Sequence, residues 1–246
     1  MSRPPPVSRP PLLDYYLTVP RTRIKIDGIC RPQDAADAAR AGADAIGIVL
    51  DPSAGRYVPP DHARKILAAV PPFVTTIGIF VNASAEEIKR ILALLPFATV
   101  QLHGNETPQL VADLKPIRVL KALHITPGDP VILQTWRDAI RDLQLTNLIG
   151  LLLETARPSG APGGTGIPSD FDALQEMQSA GHFADLPPII AAGGLTPDNV
   201  ADAIRLLHPF AVDVSSGVES AHRQKSAEKI DAFIRAVRDA DANQSA

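Results

Sequence analysis

Two carboxylates, Asp27 and Glu154, come directly after short apolar runs, and they are well suited to proton transfer. Two carboxyl groups on opposite sides of a bound sugar can act as base and acid. For either residue taken alone, a solvated turn residue at the end of a strand is an open alternative.

Other polar residues also lie near the ends of apolar runs. Arg56 offers a planar guanidinium group that suits a carboxylate or a phosphate, or it is a solvated surface arginine. We assign Gln101 and His103, in the stretch VQLHG, to a substrate pocket, although a histidine at a strand end can equally have a structural role. Asp213 either touches the substrate or holds a loop.

Three segments rich in glycine follow the last three apolar runs, and they predict an anion site. Glycine lets backbone N–H groups approach a ligand closely, and several converging N–H groups make an anion cradle. The residues assigned to this cradle are Gly164, Thr165, Gly166, Gly193, Gly194, Ser215, Ser216 and Gly217. The alternative is that these glycines only form tight turns after strands.

Eight short apolar runs alternate with stretches of helical spacing, and they predict a single (β/α)8 TIM barrel, an α/β fold. The runs are 24–26, 45–50, 74–80, 99–102, 118–122, 148–153, 188–191 and 211–214. Such barrels place the active site at the carboxyl ends of the strands and often hold phosphate after strands seven and eight. An open doubly wound sheet is the rival fold, but its nucleotide fingerprint would follow strand one, where this chain has DGIC.

Helical spacing is clearest at 34–40, 85–95, 197–207 and 226–237. Ser84 and Thr196 are predicted to cap the second and third of these helices, and Pro197 suits a first helical position.

The chain as a whole limits the classes of partner. Its 246 residues carry a formal net charge of −3, with no long basic run, so we expect neither a nucleic-acid nor a membrane partner. The single cysteine, Cys30, excludes an internal disulfide and fits a cytoplasmic protein, and the histidine and cysteine spacing predicts no metal. Residues 1–20 are rich in proline and expected to be disordered, ahead of a barrel at 21–240 and a frayed tail at 241–246.

Several sequence blocks, taken together, resemble one known family. KIDGI is similar to the family's K-I-C-G-I, AGADAIG to its G-A-D-x-x-G, and GRYV to its S-P-R-x-V loop. The blocks GIFVN, QLHGNE, GGTG, AGGLTPDNV and VDVSSGVES follow in the family's order. The family is phosphoribosylanthranilate isomerase, and the resemblance covers about residues 23–238.

This resemblance implies an Amadori rearrangement in tryptophan biosynthesis, performed without a cofactor. The substrate is a small sugar phosphate, N-(5-phosphoribosyl)anthranilate, and the product is 1-(2-carboxyphenylamino)-1-deoxyribulose 5-phosphate. In the family an acid protonates the ring oxygen, the ring opens to an imine, and a base removes the C2 proton. The resemblance further implies that the late glycine loops hold the phosphate, that Arg56 faces the anthranilate carboxylate, and that the protein is a monomer or a homodimer.

Both proton-transfer positions depart from the family pattern. Asp27 stands where the family has the cysteine of K-I-C-G, and Glu154 where it has the aspartate of L-L-D. Cys30 lies three residues after Asp27 and is not expected to take over as base. Each change keeps an ionisable group, so we expect Asp27 as base and Glu154 as acid. The loop that carries Arg56 also holds one residue more than S-P-R.

Two other functions stay open. One is a barrel of the same fold that acts on another aldose phosphate. The other is a binder of phosphorylated metabolites that catalyses no reaction.

Overall fold

A closed parallel barrel of eight strands forms the centre of the computed structural model, which describes residues 21–156 and 168–244. Neighbouring strands follow one another in sequence, and the first strand pairs with the eighth to close the ring. The strands are β1 (Arg23–Ile26), β2 (Ala45–Val49), β3 (Thr75–Phe80), β4 (Thr99–Leu102), β5 (Val119–Ile125), β6 (Leu148–Thr155), β7 (Ile189–Ala191) and β8 (Ala211–Val214). The prediction of a (β/α)8 barrel is confirmed.

Helices connect successive strands and surround the barrel. They are α1 (Pro32–Ala41), α2 (Pro60–Ala68), α3 (Ala85–Leu94), α4 (Pro108–Asp113), α5 (Val131–Asp142), α6 (Phe171–Ser179), α7 (Val200–Leu207) and α8 (Ala227–Gln244). Between β8 and α8 lie a short 3-10 helix (Ser216–Val218) and a hairpin made of β9 (Glu219–Ala221) and β10 (Gln224–Lys225). Within the described ranges, no helix has the length and apolar character needed to cross a membrane.

Two apolar layers hold the barrel together. Alternate strand residues form a small cluster inside the barrel, which consists of Ile77, Ile79, Leu120, Ala122, Leu152, Ile190, Ala192 and Ala211. A larger cluster, with residues such as Ile24, Leu102 and Phe233, fills the space between strands and helices. Because the strands are buried on both faces, they are nearly continuous apolar runs in the sequence.

Most element boundaries agree with the sequence, and the exceptions have local causes. The strands predicted at 99–102 and 211–214 are found with those bounds, whereas β5 extends three residues further, to Ile125. Ser84 caps α3 as predicted, since its hydroxyl accepts the N–H of Glu87. The helix predicted to start at Pro197 begins at Val200 instead, because Oδ1 of Asn199 accepts the N–H of Thr196 at 2.8 Å and stabilises a turn before the helix.

The frayed tail expected at 241–246 is wrong for residues 241–244, since α8 continues to Gln244. Asp241 accepts hydrogen bonds from the backbone N–H of Thr22 at 2.9 Å and from its hydroxyl at 2.6 Å. Arg238 donates to the backbone carbonyl of Thr22 at 2.8 Å. These hydrogen bonds hold the last turns of α8 against the residue that precedes β1. The disorder expected for residues 1–20 and the fraying of 245–246 lie outside the described residues.

Glu106 and Lys121 form a buried ion pair beside the loop that follows β4, with 2.9 Å between Nζ and Oε2. The carboxylate also accepts the backbone N–H groups of Asn82 and Gly104. The ammonium donates to the backbone carbonyls of Gly104 and Ala122, at 2.7 Å each. This pair fixes the backbone at the carboxyl end of β4, next to the predicted pocket residue His103.

We expect Glu106→Ala to lower the free energy of unfolding by about 3 to 5 kcal/mol, because it leaves a buried ammonium without its charged partner. Urea unfolding followed by circular dichroism measures the change. Gln109→Ala, at an exposed position of α4, is the control and should change the free energy by less than about 0.5 kcal/mol. Equal stability of the two variants would contradict a structural role for the ion pair.

Candidate active site

A buried network of three charged side chains lies where β1 meets β8. Lys25 and Asp213 are register partners on these strands, and the Lys25 Nζ atom lies 3.0 Å from Oδ1 of Asp213. The same ammonium forms an ion pair with Asp27, the first residue after β1. Asp27, which the sequence assigns to proton transfer, is thus held at the mouth of the barrel by a lysine that the sequence analysis did not single out.

Burial sets the protonation of this network. It raises the pKa of Asp213 to about 8, and the neighbouring carboxylate of Asp27 adds to the rise. Burial acts on Lys25 in the opposite direction, but Asp213 and Asp27 outweigh it and the pKa of Lys25 is raised overall. The Lys25 ammonium thus lies between two carboxyl groups, and Asp213 holds a proton more tightly than an exposed aspartate does.

Glu154 and His103 form a second polar group at the same mouth. Nε2 of His103 lies 4.0 Å from Oε1 of Glu154. Glu154 is the second-last residue of β6 and not part of the loop after it. The Gln101 side chain hydrogen-bonds Nδ1 of His103 at 2.9 Å, so these two predicted pocket residues are in contact. Burial lowers the pKa of His103 to about 4, which makes its imidazole neutral at physiological pH.

The two groups act on each other electrostatically. The charges of both Asp27 and Glu154 raise the pKa of Asp213, and the charge of Asp27 also acts on His103. Because such effects need short distances and low dielectric, the two carboxylates predicted to transfer protons share one polar mouth.

His124 joins His103 and Glu154 in a group that could hold a metal ion. Its ring meets that of His103 edge to face at 6.0 Å between centroids, and the three potential ligand atoms lie within 4.8 Å of one another. Ligand bonds to zinc are about 2.0 to 2.2 Å long, so the side chains would have to move together before one ion reached all three. Because His124 and Glu154 belong to β5 and β6 and His103 follows β4, their grouping has no spacing signature in the sequence. The prediction of no metal stays a prediction.

Arg56 is not a solvated surface arginine, since its side chain is only 14% exposed. Glu219 accepts its Nε–H at 2.8 Å and an Nη2–H at 2.7 Å. Burial raises the pKa of Glu219, but the guanidinium of Arg56 and the ammonium of Lys225 outweigh it and lower the pKa overall. The sequence analysis recorded Glu219 only as part of the block VDVSSGVES, so this pairing was missed.

Within the part of the chain that the structure describes, Cys30 has no contact that would make it a base. Its Sγ atom donates to the backbone carbonyls of Gly28, at 3.5 Å, and Arg56, at 3.6 Å. Burial raises the pKa of its thiol, which disfavours the reactive thiolate.

The loops after β7 and β8 meet closely at the predicted phosphate cradle. Gly193 and Gly194 have positive φ angles of 90° and 63°. A Cβ on Gly217 would lie 1.9 Å from the carbonyl oxygen of Leu195, so only glycine fits there. A cavity of about 290 Å³ opens at this junction, lined by Gly194, Leu195, Thr196, Ser216, Gly217 and Lys229. Ser215 precedes the 3-10 helix and accepts Lys225 at its carbonyl. Gly164, Thr165 and Gly166 lie outside the described residues.

Comparison with known proteins places this architecture in one family. The family model of N-(5'-phosphoribosyl)anthranilate isomerase matches residues 24–236. The chain belongs to the phosphoribosylanthranilate isomerase family. A relative that bears this name, from Pseudomonas putida strain F1, is 46% identical over 219 residues, which is 89% of this chain and 98% of the relative. A relative of the same name from Trichlorobacter lovleyi is 41% identical, again over 89% of this chain and 98% of the relative.

Solved structures of phosphoribosylanthranilate isomerases share the fold. The enzyme from Thermotoga maritima superposes with a TM-score of 0.73 at 34% identity, covering 89% of this chain and 99% of that one. A phosphoribosylanthranilate isomerase in complex with reduced 1-(o-carboxyphenylamino)-1-deoxyribulose 5-phosphate superposes with a TM-score of 0.70 at 33% identity, with the same coverage.

Gly47, part of the AGADAIG block that resembles the phosphoribosylanthranilate isomerase family, has a definite physical role in this chain. A Cβ at this position would lie 1.7 Å from Oδ1 of Asp27 and 2.8 Å from Cδ1 of Ile79. The absence of a side chain on β2 thus makes room for the Asp27 carboxylate. The sequence contains this glycine but cannot show which side chain occupies the space.

We expect Gly47→Ala to lower kcat/KM about 100-fold or more, because displacing a catalytic group by about 1 Å can cost that much. It should also lower the free energy of unfolding by about 1 to 3 kcal/mol through overpacking. Steady-state kinetics and urea unfolding on one preparation separate the two effects.

Gly78→Ala is the matched control for this variant. Its Cβ would lie 3.2 Å from the side chains of Leu50 and Phe97, away from Asp27. It should therefore affect stability more than turnover. Wild-type turnover in Gly47→Ala would show that the observed position of Asp27 is not required for the reaction.

Proposed function

We propose that this chain catalyses the Amadori rearrangement of N-(5-phosphoribosyl)anthranilate, with Asp27 as the base and Glu154 as the acid. The observation that carries the proposal is that a member of this family places these two carboxylates at one barrel mouth, within electrostatic reach of Asp213. The complex of a relative with the reduced product supports a phosphorylated, carboxylate-bearing ligand for this fold.

The reaction needs one proton delivered and one removed. Glu154 protonates the ring oxygen of the sugar, the C1–O bond breaks, and the lone pair of the amine nitrogen forms a C=N bond. Asp27 then takes the C2 proton, which the positively charged imine has made acidic, so a carboxylate suffices as base. The enolamine formed in this way tautomerises to the ketose, and no cofactor takes part.

His103 supports the acid without carrying the transferred proton. Its pKa of about 4 keeps the imidazole neutral, so it does not compete with Glu154 for protons at neutral pH. It lies against Glu154 and is oriented by Gln101.

The substrate is held at two places around the barrel mouth, the phosphate cradle and Arg56. The cradle at Gly193, Gly194, Ser215, Ser216 and Gly217 holds the phosphate, and Gly164, Thr165 and Gly166, which lie outside the described residues, remain predicted members of it. Arg56 faces the anthranilate carboxylate. Glu219 occupies the Nε edge of its guanidinium, so the edge formed by Nη1 and Nη2 can donate a bidentate pair to the ligand.

Asp27 and Glu154 replace, in this proposal, the cysteine of K-I-C-G and the aspartate of L-L-D. Lys25 supports the first replacement, because its buried ammonium holds the Asp27 carboxylate in place. The protein acts as a monomer or a homodimer in the cytoplasm. A solved structure of monomers generated from the dimeric Thermotoga maritima relative supports the homodimer as one of these two states, because that relative is itself dimeric.

We expect Asp27→Asn to abolish isomerisation and to leave binding of the reduced product within about threefold of wild type, because asparagine keeps the shape but cannot accept a proton. Stopped-flow fluorescence measures turnover, and calorimetry measures binding on the same preparation. Wild-type turnover in Asp27→Asn would refute Asp27 as the base. Complementation of a tryptophan auxotroph that lacks this isomerase tests the reaction in cells.

Failure of the wild-type protein to turn over this substrate would favour the two alternatives. Turnover of another aldose phosphate would indicate a different isomerase of the same fold. Binding of phosphorylated metabolites without turnover of any would indicate a binding protein.

A further inference from the structure

The hairpin of β9 and β10 forms hydrogen bonds with the loop that carries Arg56. At its tip, Arg223 donates from Nη1 to the backbone carbonyl of Gly55 at 2.9 Å and from Nη2 to that of Tyr57 at 2.8 Å. The Nε2 atom of His222 also lies 3.0 Å from the Gly55 carbonyl oxygen. One guanidinium therefore bridges the residues on both sides of Arg56.

Three successive carbonyls around Arg56 are held from outside the loop. Arg223 and His222 contact that of Gly55, the Cys30 thiol contacts that of Arg56 itself, and Arg223 contacts that of Tyr57. The backbone of the arginine thus has little freedom to rotate, which reduces the entropy lost when its side chain engages a ligand.

The base of the same hairpin holds the Arg56 side chain. Glu219, the first residue of β9, accepts two hydrogen bonds from the guanidinium, and Lys225 of β10 lies 3.1 Å from Glu219. A Cβ on Gly28 would lie 2.5 Å from Cδ of Arg56, so the aliphatic part of the side chain passes directly over the turn after Asp27. The hairpin therefore fixes the backbone on either side of Arg56 and also the position of its guanidinium group.

Arg223 maintains these contacts in a strained backbone conformation. Its φ angle is +68°, in the left-handed region that favours glycine. A non-glycine residue at such an angle is strained, and the strain persists only where the surrounding structure holds the residue in place. The two carbonyls that it bridges identify what the side chain does here.

We propose that Arg223, with His222, is a positioning residue that presents the Arg56 guanidinium to the substrate carboxylate. This inference rests on the proposed function, because the carboxylate is that of the anthranilate group. It makes the tip of the hairpin a determinant of specificity for carboxylate-bearing substrates, although neither residue at the tip touches the substrate.

The test compares two ligands in calorimetry: the reduced product, and the same compound without its aromatic carboxylate. In Arg223→Gly we expect affinity for the first to fall about tenfold and affinity for the second to stay within about twofold. With substrate, KM should rise about tenfold while kcat changes less than about threefold, as expected for lost binding rather than lost chemistry. Arg56→Ala should remove the difference between the two ligands altogether.

The melting temperature separates positioning from folding. Glycine takes a φ of +68° without strain, which offsets the loss of the two hydrogen bonds from Arg223, so Arg223→Gly should melt within a few degrees of wild type. Arg223→Lys keeps the charge but lacks the planar fork, and its affinity should lie between those of glycine and wild type. Gln224→Ala, at an exposed position of the same hairpin, is the control and should match wild type in every measurement.

Each outcome decides the inference. Equal losses for both ligands in Arg223→Gly, or no loss for either, would overturn the positioning role. Wild-type protein that binds both ligands without turnover would refute the proposed reaction, while the ligand comparison would still judge Arg223. Wild-type protein that binds neither ligand would overturn both proposals.

Discussion

A buried ammonium group must have anionic partners, and Lys25, with 3% of its surface exposed, lies inside the barrel. Its two partners are Asp27 and Asp213, and burial raises the pKa of the Asp213 carboxyl group. The ring closure between β1 and β8 makes this possible, since it sets Lys25 opposite Asp213 in register. The position of the proposed base therefore follows from the closure of the barrel and from one desolvated charge.

The sequence was sufficient to predict the fold, because the strands and helices depend on residues that are close together in the chain. Eight buried strands produce eight apolar runs. Ser84 marks the start of α3 because its hydroxyl accepts the backbone N–H of Glu87, only three residues later. The errors occurred where a side chain distant in the chain decides the outcome. The last helix continues to Gln244 because Asp241 bonds Thr22, and this contact spans 219 residues of sequence.

The candidate site shows the same limit more strongly. Strand ends identified Asp27, Glu154, Arg56 and His103, since the chemistry of a barrel is concentrated at one edge of the sheet. Their partners could not be identified, because an ion pair between Arg56 and Glu219 joins residues that lie 163 positions apart. Gly47 is the clearest case. The sequence shows a glycine there, but only the structure shows that the Asp27 carboxylate occupies the space that a side chain would need.

Three cations near the mouth already have an anionic partner before substrate arrives. Lys25 is paired with Asp27, Arg56 with Glu219, and Lys225 with Glu219 as well. A guanidinium held on one edge remains rigid and still has its second edge for a ligand, whereas an ammonium held in the same way has no fixed direction. Of these three cations, Arg56 is thus the one suited to recognise a planar carboxylate, and the hairpin that holds it connects this proposed carboxylate site to the loop after β8, beside the predicted phosphate cradle.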